Sequence, residues 1–291
     1  MNRPGSQIDT DFRLRIAWPL ALSARGYRLR ATSRLRTLLP VALLALAACA
    51  SQPPEPEIAE LPAADVLYQE GVTLLENRRT LLWLFDTTPY QDAIDKFQEV
   101  VDNYPYSEYA VASELKIADS YFEQERFEEA LSYYQDFAEL HPEHEKVPYT
   151  IHRAALCHAE QSGSVDRDQT ATRNALAALD RLLTRYPAAP ETREAEVLWK
   201  ELRTKLGQHV LGVGDFYWKR EEFQSAAGRY RQVLDEYPGL GLDAEALYKL
   251  GLCYTHMNRD DDAQRIFEVI LENYEGSDVA RAAQDQIPAA N

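Results

Sequence analysis

At 291 residues, 45% of them hydrophobic, the chain is long enough to bury a sizeable core, and its net charge of −16 argues against nucleic acid or anionic lipid as a partner of its body. The charge is unevenly placed. Residues 1–48 hold eight arginines and two aspartates, which leaves −22 on the remaining 243 residues.

Taken in chain order, the first signal is a basic stretch (Arg34, Arg36) followed by an apolar run from Leu38 that closes at Leu46-Ala47-Ala48-Cys49. A charged segment, a short apolar stretch and small residues before a cut describe a secretory signal peptide over residues 1–48. The run is too short to span a bilayer comfortably. Ending at cysteine after Leu-Ala-Ala, it resembles the lipobox of bacterial lipoproteins. That resemblance implies cleavage before Cys49, a diacylglycerol on its sulfur and an acyl chain on its amine; no other cofactor is expected. Ala50 and Ser51 lack the aspartate that retains such proteins at the inner membrane, so the expected place is the periplasmic face of the outer membrane. Met1 to Leu29 form a long basic prelude. With Met257 the only other methionine, translation is expected to begin at a non-ATG codon nearer Arg28. Residues 49–62 read as a tether, because Ser51-Gln52-Pro53-Pro54-Glu55-Pro56 stays extended and buries no core.

From residue 63 one pattern recurs five times. Its anchors are Ala93, Ala130, Ala175, Ala226 and Ala263. Large apolar residues follow at offsets of four (Phe97, Tyr134, Leu179, Tyr230, Phe267) and seven (Val100, Phe137, Leu182, Val233, Ile270). Offset eleven brings Tyr104, His141, Tyr186, Tyr237 and Tyr274, all on the same helical face. Pro105, Pro142, Pro187 and Pro238 then stop the helix, and Glu275 stands there in the last copy. Upstream, Ala118, Gly214 and Gly251 leave room for a partner helix, each followed three residues on by a tyrosine. This pattern resembles the tetratricopeptide repeat and implies an all-α solenoid of five helix-turn-helix repeats, about 64–105, 108–142, 146–187, 191–238 and 241–275. Ser277 to Gln286 reads as a capping helix within a body ending near 290. Three places are stretched: Arg78 to Tyr90 in repeat one, the loop 162–169 in repeat three, and the first helix of repeat four. That helix is expected to run from near Glu191 towards Trp218, about five extra turns.

Cys157 and Cys253 hold equivalent positions two repeats apart, which favours free buried thiols over a disulfide. No phosphate loop, nucleophile elbow or zinc motif is present, so catalysis is not expected. His141, His144, His152 and His158 cluster in sequence, but His141 fills a repeat position, and no metal site is expected. The first helices of repeats one and two instead suggest a peptide groove at Tyr68, Val72, Leu75, Leu115, Asp119 and Phe122. The same residues also suit internal packing. Leu82, Trp83 and Phe85 lie in an apolar run between two helices that reads either as an exposed interaction patch or as a segment folded back on repeat one.

A lipobox, a proline-rich tether and five repeats together resemble the BamD family, the lipoprotein subunits of the β-barrel assembly machinery. Tyr104-Pro105-Tyr106-Ser107, Val165-Asp166-Arg167-Asp168-Gln169 and the long fourth-repeat helix carry the more specific part of the likeness. The resemblance implies a non-catalytic scaffold whose amino-terminal repeats receive the aromatic C-terminal signals of unfolded outer-membrane proteins. Its carboxy-terminal repeats would dock on the periplasmic domain of BamA, with Arg229 matching an arginine of that docking side. The rival expectation is a lipoprotein adaptor for cell-wall enzymes or a secretin.

Overall fold

The computed structural model describes residues 61–77, 80–81, 85–86 and 88–287. The signal peptide, Cys49 and most of the tether lie outside the described residues, as do Leu82 and Trp83; of Phe85 only the backbone is described. Eleven helices follow one another among the described residues: α1 (Ala64–Glu76), α2 (Tyr90–Asn103), α3 (Glu108–Glu123), α4 (Phe127–Leu140), α5 (Val147–Glu160), α6 (Thr170–Arg185), α7 (Thr192–Lys219), α8 (Phe223–Glu236), α9 (Asp243–His256), α10 (Asp260–Asn273) and α11 (Asp278–Gln284). Each packs chiefly on its neighbours in the chain, which makes the body a helical tetratricopeptide solenoid. Among the described residues the one strand pairing is a two-residue antiparallel ladder, β1 (Thr80–Leu81) on β2 (Phe85–Asp86), between α1 and α2.

The repeat positions explain the packing. The residues at offsets zero, four and seven in all five copies are at most 3% exposed. The aromatic at offset four reaches the preceding helix at a small residue. A Cβ added to Gly71 would stand 2.7 Å from Phe97, and one added to Gly214 or Gly251 would stand 2.5 Å from Tyr230 or Phe267. Those gaps are too small for any side chain, so glycine sets the helix spacing there. The offset-eleven residues are the C-caps, with φ between −123° and −132° and the amide bonded to the offset-seven carbonyl. Helix α10 ends this way without a following proline, and Gly276 at φ +76° makes the turn.

Helix α7 has 28 residues against 14 in α9, a surplus of about four turns, one fewer than the sequence suggested. Its first half supplies Ala195, Leu202 and Leu206 to a core shared with α4, α5 and α6. Its second half supplies Val210 and Leu211 to the core that runs through α11. The loop 162–169 is fixed from within by Gln169, 1% exposed, whose Nε2 donates to the carbonyls of Ser164, Val165 and Arg167. Lys205 of α7 donates to Ser162 Oγ at 2.7 Å and so ties the long helix to that loop.

Cys157 and Cys253 are free and fully buried, and burial pushes both thiols up to about 12. His152, 6% exposed, is pushed below 6.5 by burial, which outweighs the pull of Glu191 and Glu194. A histidine held neutral by the fold gives its stability in full above pH 6.5 and loses it as the unfolded chain protonates below that value. Urea melts of the wild type should therefore show a larger loss between pH 7 and pH 5 than those of His152→Gln. Equal losses would remove His152 as a source of acid sensitivity.

Candidate functional site

The first helices of repeats one to three enclose an open cavity of about 370 Å³. Tyr68 enters from α1, and Ala112, Leu115, Lys116 and Asp119 form one stripe of α3. The third wall comes from Lys146 and Tyr149 at the start of α5. Of the six groove residues read from the sequence, the fold brings Tyr68, Leu115 and Asp119 together. Val72 and Leu75 pack instead against the cluster of Phe97 and Ile117. Phe122 meets Phe127 edge-on and is covered by the Arg153 guanidinium, 3.7 Å above its ring. The cavity is also more charged than an apolar groove, since Glu108, Lys116, Glu145 and Lys146 line it.

Asp119 organises the floor. Its Oδ1 accepts from Tyr134 Oη at 2.6 Å and from Tyr149 Oη at 2.7 Å. Arg153 donates through Nε to Tyr134 Oη at 3.0 Å and lies 4.0 Å from the carboxylate and 3.5 Å from that of Glu123. Burial, then the negative charge of Asp119, raises both tyrosine hydroxyls, so they remain protonated donors. The network joins α3, α4 and α5, and so joins repeat two to repeat three. The same device recurs two repeats on: Asp215 of α7 accepts from Tyr230 Oη at 2.8 Å and from Lys249 Nζ at 2.7 Å. The tyrosine follows its aspartate by 15 residues in both networks and the cation follows by 34. The sequence carried this signal; single positions scored for exposure or apolarity do not reveal it.

Arg229 lies exposed on α8, its Nη1 donating to Gln232 Oε1 at 2.9 Å, with no carboxylate bonded to it among the described residues. The clustered histidines do not converge. His141 Nε2 bonds Glu114 at 2.8 Å, His144 Nδ1 accepts from the Lys146 amide, and His152 is buried within α5. Among the described residues no group of histidine, cysteine or carboxylate side chains is placed to hold a metal ion. No described helix is long and apolar enough to cross a membrane.

Residues 67–269 match the protein family YfiO, described as outer membrane lipoprotein. The outer membrane protein assembly factor BamD of Caulobacter vibrioides is 28% identical over 232 residues, which cover 79% of this chain and 73% of that protein. Its counterpart in Rickettsia prowazekii is 26% identical over 249 residues, 86% of this chain and 94% of that protein. Among solved structures, the TPR2AB domain of yeast Sti1 in complex with pHSP90 aligns with a TM-score of 0.43 at 14% identity, over 76% of this chain and 81% of that one.

Proposed function

The chain belongs to the YfiO family of outer membrane lipoproteins, and from that premise we propose that it is a non-catalytic scaffold for the assembly of β-barrel proteins into the outer membrane. The observation that carries this reading is the family match, which runs through nearly the whole repeat body rather than through one generic repeat. Acyl chains on Cys49 anchor the protein to the membrane, and the body faces the periplasm. In this reading the cavity of repeats one to three receives the aromatic C-terminal segment of an unfolded outer-membrane protein. Tyr68, Leu115 and Tyr149 offer apolar and aromatic surface, and Lys116 and Lys146, neither of which makes an ion pair among the described residues, face the same space. Arg229 belongs to a second surface, on which the periplasmic domain of BamA docks; its exposed guanidinium is free to take a carboxylate of that partner.

Complementation tests both parts. In cells depleted of the native chain, the Arg229→Glu variant should co-purify with about tenfold less BamA, the equivalent of one charge-assisted hydrogen bond. It should leave folded β-barrel proteins scarce in the outer membrane, with helical content unchanged. Normal co-purification would remove Arg229 from the docking surface. Normal β-barrel levels after depletion would contradict the assembly role itself.

A further inference from the structure

The second helices of the repeats form the face opposite the cavity, and their charge is not uniform. Helix α4 carries Glu128, Glu129, Asp136 and Glu139 with no cation, and α10 opens on Asp260-Asp261-Asp262. Helix α6 between them reverses the sign, with Arg173, Arg181 and Arg185 against Asp180. The three arginines are spaced by eight and four residues, which places them along one ridge of the helix. All three are exposed, and none makes a side-chain hydrogen bond or ion pair among the described residues. In a chain whose net charge is −16, unpaired guanidinium groups gathered on one helix are unusual, because carboxylates are abundant enough to pair them. Asp180, the one acid on α6, is already occupied as acceptor for Trp199 Nε1 at 2.7 Å.

The ridge is flanked by a recess on each side. Between α4 and α6 a pocket of about 250 Å³ has an apolar floor of Ala138, Ile151, Ala154 and Ala178, with Arg181 at its rim. Between α6 and α8 a second recess of about 270 Å³ is built from Leu176, Trp199, Arg203 and Tyr237. The Arg203 guanidinium there is fixed over Trp199 at 4.8 Å and Tyr237 at 5.5 Å, and it donates to the carbonyl of Glu236. Tryptophan, tyrosine and arginine around a recess are the residue types that dominate binding at protein interfaces.

We propose that the α6 ridge and its two recesses bind a carboxylate-rich amphipathic segment of a partner protein. Its acidic side chains pair with Arg181 and Arg185, and its apolar side chains enter the recesses. Guanidinium groups match carboxylates bidentately, so the ridge selects acidic residues by geometry as well as charge. An anionic membrane fits less well, because a lipid surface can meet the arginines of the ridge but does not seat separate apolar side chains in a recess on each side of it. This surface lies apart from the cavity of repeats one to three and does not rest on the client-binding reading.

The test uses the full chain in mild detergent and two fluorescent twelve-residue peptides, one alternating leucine and glutamate, the other with glutamine for each glutamate. Fluorescence anisotropy should show the glutamate peptide bound about tenfold more tightly or better, with the difference shrinking as salt rises. An Arg181→Glu, Arg185→Glu double variant should bring the ratio near one at unchanged helicity, while the corresponding lysine variant keeps part of it. Equal binding of the two peptides by the wild type, or a ratio that survives the charge reversal, overturns the proposal. So does phosphatidylglycerol-vesicle binding lost by the same variant, which would make the ligand a membrane. Self-association abolished by the variant in sedimentation also overturns it, and would make the occupant a second copy of this chain.

Discussion

Replacing Cys49 with serine should abolish recovery of the protein in the outer-membrane fraction and eliminate its labelling by palmitate. The expected effect is close to total, because nothing among the described residues offers a comparable hold on lipid. The residues beyond position 48 carry −22, and no described helix crosses a membrane. A single acyl chain gives only marginal binding, so the proposed lipidation needs several chains on this cysteine, each buried CH₂ contributing about 0.8 kcal/mol, for attachment to be stable. Palmitate labelling that persists in the serine variant would contradict the lipidation of Cys49. The same variant also separates anchoring from assembly: the repeat body keeps its fold, and a defect in β-barrel insertion then measures what membrane attachment contributes.

The second large effect is expected at Asp119. Substitution by alanine removes the acceptor of two tyrosine hydroxyls, one of them on the fully buried Tyr134, and leaves Arg153 with Glu123 as its one carboxylate among the described residues. A buried donor without a partner costs about 1–3 kcal/mol, and breaking a buried ion pair costs about 3–5 kcal/mol. Asp119 keeps 30% of its side chain exposed, so solvent screening brings the expected total to about 2–3 kcal/mol. The shift in urea midpoint measures it. A cycle with Tyr134→Phe identifies the cause, because removing both partners should cost less than the two single changes added together. Strict additivity would mean that the Asp119–Tyr134 hydrogen bond contributes nothing to stability. Since Asp119 also lines the cavity, its loss should alter the pocket floor as well as the stability.

These residues show how far the sequence reached. The solenoid was legible because the buried offsets of four and seven and the closing cap recur with helical periodicity, and the small residue facing each aromatic marks where two helices meet. Helix α7 was legible in its bounds, since Thr192–Lys219 lies within about a residue of the Glu191-to-Trp218 span read from the sequence, and only its surplus over an ordinary repeat helix was set one turn too high. The ladder of Thr80–Leu81 with Phe85–Asp86 went unseen because two residues per strand cannot establish an alternating pattern. The cavity was half legible. The stripe on α3 could be read from one helix alone, whereas Lys146 and Tyr149 arrive from the next repeat and depend on how repeats stack. Val72, Leu75 and Phe122 have the same apolar character as true lining residues, and only the positions of Phe97, Ile117 and Arg153 decide that they are covered.

The central claim, that this chain works within the machinery that inserts β-barrel proteins, is tested most directly by an affinity pull-down from gently solubilised membranes with partners identified by mass spectrometry. The account predicts one stoichiometric partner, a β-barrel protein carrying periplasmic repeat domains. Recovery of cell-wall hydrolases or a secretin in its place would contradict the account and make the solenoid an adaptor of a different assembly.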